Sequence, residues 1–256
     1  MELVAFALWC FIVAAAGGLA GLVLGNIRLP ATLLLTSSAA AGGGANLLIS
    51  AAAAGAASVT HVRAGNVNWR LFAWMAPPSV AGAVLGGYLA GVIDEDLLLV
   101  CIAAVLLYSG IDLLWLRPRT APAAQGEPGR EPARREFNRA AAVLSGALIG
   151  VLGGLVGLIL GTLRMPALLR FLGEPARRAV GTNLTVGVCV GIAGALGHLP
   201  SVAPDWRIAA VGAAASIPGA VIGARLTGRL SELQLLRAIG AVLLVAATVM
   251  ALQAVL

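Results

Sequence analysis

The stretch Gly17–Ala31, GGLAGLVLGNIRLPA, returns later in the chain as Gly153–Ala167, GGLVGLILGTLRMPA. At an offset of 136 residues, ten of the fifteen positions are identical: glycines 17, 18, 21 and 25, Leu19, Leu22, Leu24, Arg28, Pro30 and Ala31. Shared hydrophobicity alone would match leucine with leucine and alanine with alanine. It would not align an arginine, a proline and four glycines. The second half is therefore a copy of the first, and each copy keeps one cation inside apolar sequence.

The correspondence continues beyond the motif once one residue is inserted. At an offset of 137, Asn46 pairs with Asn183, His61 with His198, Trp69 with Trp206, Gly82 with Gly219, Gly86 with Gly223 and Gly91 with Gly228. The chain divides into a first repeat over 1–116, a polar linker over 117–138 and a second repeat over 139–256. The linker carries Pro118, Pro122, Pro128 and Pro132 among mixed Arg and Glu. It has no sustained apolar face and reads as a solvated, partly disordered connection.

Composition sets the class. Of 256 residues 60% are hydrophobic and only 11% charged, whereas a soluble domain carries about 25% charged residues. Apolar runs of roughly 20 residues cross a bilayer as helices. The expected fold is an all-α polytopic membrane protein: two homologous helical-bundle repeats, about eight transmembrane helices, and broken segments after the glycine-rich motifs. The formal charge of +6 comes with seventeen arginines and no lysine. They are scattered over loops and helix ends instead of forming a stripe, which argues against nucleic acid. Cys10, Cys101 and Cys189 lie far apart in apolar runs without metal-ligand spacing. Met1–Leu24 has no basic leader region and reads as the first membrane helix.

Local signals place the breaks. Leu3–Leu24 predicts a helix that ends at Gly25–Pro30, because Pro30 restricts Leu29 and has no N–H to donate. Gly42–Gly44 reads as a flexible run before the next helix, and His61–Asn68 as a polar connection. Trp69 and Trp74 flank a helix entry, as interfacial aromatics do. Asp112 falls near a membrane interface, and Asp94, Glu95, Asp96, Glu174 and Glu232 read as solvent-facing. Four full spans per half would put both termini and the linker on one side. A discontinuous or re-entrant segment making the crossings per half odd would invert the halves, and the sequence leaves that parity open.

Polar residues in apolar surroundings are the functional candidates. A cation in hydrocarbon is costly and takes a partner, a cavity or an interfacial exit. Arg28 and Arg164 each sit three residues after a repeat glycine and two before a proline. Broken helices free backbone groups, so this combination can build an anion site, and the planar guanidinium fork suits an oxyanion. The plainer reading has both arginines snorkelling to headgroups or capping carbonyls. Asn46 and Asn183, with Thr182, either orient substrate oxygens or bond helices together. Ser37, Ser38 and Thr185 are weaker candidates. His61 and His198 are candidates for proton handling or for ordinary interfacial hydrogen bonds. No paired catalytic carboxylates, nucleophile elbow or phosphate loop appears in a suitable context. The sequence thus points away from an enzyme, a cofactor or a metal.

The combined pattern resembles the sulfite exporter TauE/SafE family of membrane permeases in both halves, leaving out the linker. The family's glycine-rich segment leading to a proline is similar to Gly17–Pro30 and Gly153–Pro166. Its Ala-Val-Gly-Thr-Ser-Leu-like helix start is similar to Ala179–Leu184, and less so to Gly44–Leu47. Its His-containing loop before an aromatic-led helix resembles His61–Trp69 and His198–Trp206. Where family members commonly have more glycine, this chain has Asn26, Arg28, Thr162 and Arg164, which points to a shifted substrate preference and adds Asn26 and Thr162 to the candidate site. The resemblance implies a multi-pass permease of the bacterial inner membrane for sulfite, organosulfonates or related small anions. Lipids are its surroundings, and proton coupling and self-association stay open. A passive anion channel and a nontransport membrane assembly subunit are the competing readings.

Overall fold

The protein is described by a computed structural model covering residues 1–88, 95–115, 139–156, 159–198 and 204–253. The linker 117–138 and Gly91 lie outside the described residues, as does the side chain of His198. Each half supplies five helical segments in the same order. In the first these are α1 (Glu2–Ala20), α2 (Gly25–Leu33), α3 (Ala39–Arg63), α4 (Trp69–Tyr88) and α5 (Glu95–Trp115). In the second they are α6 (Arg139–Val156), α7 (Gly161–Pro166, continued as a π-helical turn over Ala167–Phe171), α8 (Ala176–His198), α9 (Trp206–Thr227) and α10 (Glu232–Gln253). Among the described residues eight helices are long and two are short. Among the described residues, α1, α9, α10 and Ala41–Arg63 of α3 are both long and apolar enough to cross a membrane, with Val100–Trp115 and Arg139–Gly153 as shorter apolar stretches. A count of eight spans is not established by these lengths. Side chains such as Leu8, Ile12, Leu107, Leu148 and Val245 stay exposed on the long helices, as a lipid-facing surface requires.

The break after α1 falls earlier than the proline predicts. Gly21 ends α1 in the left-handed region at φ 70°, which a residue with a Cβ rarely adopts. A Cβ there would also lie 2.5 Å from Val180 Cα. Residues 22–24 then carry the chain out of the helix, and Pro30 sits inside α2 instead of terminating a helix. A proline leaves the carbonyl four residues back without its helical donor. That carbonyl, of Asn26, receives Nε2 of Gln253 at 3.4 Å. Gly42–Gly44 is likewise helical, within α3, where Gly44 leaves room for Pro204 at 3.1 Å from the position of a Cβ.

Contacts between helices fix their directions. Along α1 and α9, Phe11 meets Gly219, Ala15 meets Gly223, and Leu19 meets Thr227, so the two run parallel. Ala41 meets Asp205 and Ile49 meets Gly212, which makes α3 parallel to α9 and therefore to α1. The segment from Gly21 to Ser38 thus returns the chain across the bundle, with α2 antiparallel to α3 (Gly25 beside Ser50, Leu33 beside Gly42). Between the halves, His61 meets Gly181, Ala51 meets Gly191, and Leu47 meets Gly194, so α3 and α8 are antiparallel. The passes per half are odd and the halves are inverted. This replaces the even count, and with it the placement of termini and linker on one face: the ends flanking 116–138 lie on the face opposite Glu2 and Gln253.

The parallel pairs α1/α9 and α4/α6 are matched crossings that exchange elements between halves. Their closeness comes from glycine. A Cβ on Gly219 or Gly223 would run into the carbonyls of Phe11 and Ala15, and one on Gly82 into that of Ala147 at 2.5 Å. In a bilayer, small residues let backbones approach because packing, not water, drives association. Gly219→Leu would meet backbone that cannot rotate away and should cost about 3 kcal/mol. The expected result is loss of monodisperse protein on size exclusion, with surface Val245→Leu as the unaffected control.

The inverted arrangement sorts the charges. Among the described residues Arg63, Arg70, Arg139, Arg170, Arg177, Arg178, Arg225, Arg229 and Arg237 belong to one face, whereas Arg207 lies at the other with Glu2 and Asp205. Positively charged loops stay in the cytoplasm. Cysteines introduced at residue 125 should therefore resist a membrane-impermeant maleimide in intact cells, while one at residue 2 reacts; the reverse pattern would contradict the helix directions.

Candidate functional site

The two short helices carry the buried cations to the interior. Arg28 in α2 is 2% exposed and Arg164 in α7 is 1% exposed, and both rank among the largest fully buried side chains. Neither reaches a headgroup, so snorkelling does not describe them. Arg28 donates from Nε to Asn46 Oδ1 at 3.0 Å, and from Nη2 to the Asn46 carbonyl at 3.2 Å and to Ser50 Oγ at 2.5 Å. Arg164 donates from Nη1 to Asn183 Oδ1 at 3.2 Å. Since Ser50 lies near the middle of the 25-residue α3, the Arg28 guanidinium sits deep within the bundle.

The asparagines bind the arginines and the breaks together. Asn46 Nδ2 donates to the Gly25 carbonyl at 3.1 Å. Asn183 Nδ2 donates to the carbonyls of Gly161 at 2.9 Å and of Gly21, from the other half, at 2.6 Å. Each amide thus ties down the carbonyl that opens a short helix, Gly25 or Gly161, with Asn183 also taking the Gly21 carbonyl where α1 stops, and presents its oxygen to a guanidinium. An uncharged acceptor leaves the cation's charge uncompensated. An ion pair joins Arg170 to Asp112, with Arg170 also over the Tyr108 ring at 5.5 Å.

The other candidates have different partners, or none among the described residues. Asn26 and Thr162, in the first turns of α2 and α7, are buried, and Asn26 Nδ2 has no hydrogen-bond partner among the described residues. Thr182 accepts the Asn68 backbone N–H at 2.9 Å and so pins the start of α4. His61 is in the last turn of α3, not in a loop; it is 1% exposed and its Nε2 has no partner among the described residues. Thr185 bonds Ser58 at 2.8 Å between the halves. Ser38 caps α3. Glu174 and Glu232 are not simply solvated: Glu174 accepts Asn68 Nδ2 at 2.7 Å and Glu232 accepts the Ala176 N–H at 2.6 Å. Ser50 was not marked by the sequence, although its spacing of four from Asn46 puts both on one helical face.

A cavity borders Arg28 and Ser50, lined also by Gly17, Gly18, Leu184 and Ala220. It offers about 20 Å³ to the centre of a water-sized sphere, room for about one water. The Arg28 guanidinium and the Ser50 hydroxyl thus border a space too small for an oxyanion, with apolar side chains and glycines making up the rest of its wall.

Inverted helical repeats closed around buried cations define a membrane transport architecture. The sulfite exporter TauE/SafE family profile matches residues 6–250, and the chain belongs to that family. Membership implies a membrane transporter of sulfite-type anions, not an enzyme. No curated protein and no solved structure matches the chain.

Removing Asn183 isolates the worth of this bonding. Asn183→Leu would strand the Gly21 and Gly161 carbonyls and the Arg164 Nη1 together, and a buried unsatisfied group costs about 1–3 kcal/mol. The melting temperature in detergent should fall several degrees further than for Thr182→Val, which forfeits a single bond.

Proposed function

We propose that the protein is a secondary permease carrying sulfite, organosulfonates or related small oxyanions across the bacterial inner membrane. The observation that carries this reading is the pair of fully buried guanidiniums with amide and hydroxyl partners but no carboxylate partner among the described residues. Isolated charge in a low-dielectric interior is strongly disfavoured, and a mobile anion supplies the neutralising partner. Arginine's planar donors match two oxygens of a sulfite or sulfonate group. In this reading a buried guanidinium of the pair Arg28 and Arg164 grips the anion. Asn46 and Asn183 hold them in place, Asn26 and Thr162 add polar groups at the short helices, and Thr182 steadies the second asparagine's helix.

Inverted halves offer the mechanism. Rocking one repeat against the other exposes a fixed central site to each face in turn, and the small cavity fits the closed state between. The glycine crossings of α1/α9 and α4/α6 are the surfaces along which movement proceeds. The arginine-rich face raises the anion concentration at one entrance. Proton handling by His61 and His198 would couple the movement to a gradient.

Purified protein in liposomes should take up labelled sulfite or a small sulfonate with saturable kinetics, faster when the opposite compartment holds the same anion. A proton gradient distinguishes coupled from uncoupled movement. Failure to move any sulfite, sulfonate or small carboxylate under either gradient would refute the permease. A conductance without saturation would identify a channel instead.

A further inference from the structure

Arg28 and Arg164 occupy matched positions, yet the protein satisfies them unequally. Arg28 has Nε and Nη2 engaged by Asn46 and Ser50 in three hydrogen bonds. Arg164 has a single bond, from Nη1 to Asn183, and its buried Nε has no partner among the described residues. The difference traces to one position. The counterpart of Ser50 in the second half is Gly187, so the hydroxyl that takes the first guanidinium is missing from the second.

Among the described residues nothing substitutes for it. Asn183 already spends Nδ2 on two carbonyls and meets Arg164 at Nη1, not Nε. At Gly187 the neighbour of a Cβ would be the apolar Val23 Cγ2 at 3.0 Å. A buried ionised N–H without an acceptor is uncommon in a folded protein, and an absent ion is one of its ordinary explanations. The cavity near Arg28 does not reverse this, since its room is for a single water and the guanidinium beside it is already bonded.

We infer that the two arginines have separate duties: Arg164 is the group that grips the transported oxyanion, and Arg28 is a latch holding α2 against α3. The assignment rests on the permease reading and refines it to one anion per chain. Two oxygens of the anion accept from Nε and an adjacent amino group of Arg164, in the side-on arrangement that guanidinium and oxyanion favour. The carbonyls at Gly21 and Gly161, gathered by Asn183, keep both breaks beside that anion.

Calorimetric titration of the full-length protein in nanodiscs with sulfite and with methanesulfonate tests this. Wild type should bind one anion per chain. Arg164→Gln should weaken binding about tenfold or more, the usual scale for a lost hydrogen bond to a charged group. Gly187→Ser, which supplies the missing hydroxyl, should also weaken it. Arg28→Gln should hold affinity within about threefold while lowering the melting temperature, since its lost bonds are internal. Ser50→Ala removes one acceptor of the latch and serves if Arg28→Gln does not fold; it too should keep affinity. Two anions per chain, or a loss in Arg28→Gln or Ser50→Ala as large as that in Arg164→Gln, would overturn the division of duties and leave the permease standing. Wild type that binds neither anion would overturn both.

Discussion

An ionised guanidinium taken out of water must be surrounded by something that accepts its protons, and in this chain two of them are surrounded mainly by amide and backbone oxygen. That constraint explains why the helices break where they do. A continuous helix has no carbonyls or N–H groups to spare in its middle. Gly21 stops α1 by adopting φ 70°, and Asn183 collects its carbonyl together with that of Gly161 from the other half. The asparagines then turn their oxygens to Arg28 and Arg164. What the asparagines cannot do is cancel charge, since a neutral acceptor eases desolvation without supplying a counter-ion.

The rest of the bundle keeps this centre closed. Elements are exchanged between halves, α1 lying on α9 and α4 on α6, with glycines allowing backbone to touch backbone. Two antiparallel helices, α3 and α8, cross at the middle and carry the asparagines from opposite directions. An inverted repeat built this way presents related surfaces to both sides of a membrane, and sequence divergence between the copies is what makes the two sides and the two cations differ. Gly187, standing where the first half has Ser50, is such a divergence. So is the charge distribution: Arg207 stands at one face while the other described arginines outside the core gather at the opposite one.

Duplication was plainly legible, because an arginine, a proline and four glycines cannot align by hydrophobicity alone. The pairing of Asn46 with Asn183 was also visible, but not what each binds, since the partner carbonyls of Gly21, Gly25 and Gly161 carry no signature in a residue string. Proline misled locally. Pro30 was expected to end a helix, whereas Gly21 ends it and Pro30 is accommodated once Gln253, distant in sequence, supplies a donor to the stranded Asn26 carbonyl. The glycines at 42–44 looked flexible and are helical, Gly44 making room for Pro204 and Gly42 for Leu33 and Thr36. Parity was hidden for a similar reason: whether 21–38 recrosses the bundle depends on which helices meet, and no composition records that. Ser50 was missed as one hydroxyl in an apolar run, although its spacing from Asn46 was there to read.

Selenite has the shape and charge of sulfite and scatters anomalously, so diffraction at the selenium edge from crystals grown with it locates the anion directly. The account predicts a selenium peak within hydrogen-bonding distance of a buried guanidinium, between α3 and α8. Selenium found only against surface arginines, with Arg28 and Arg164 bonded solely to protein atoms, would contradict it.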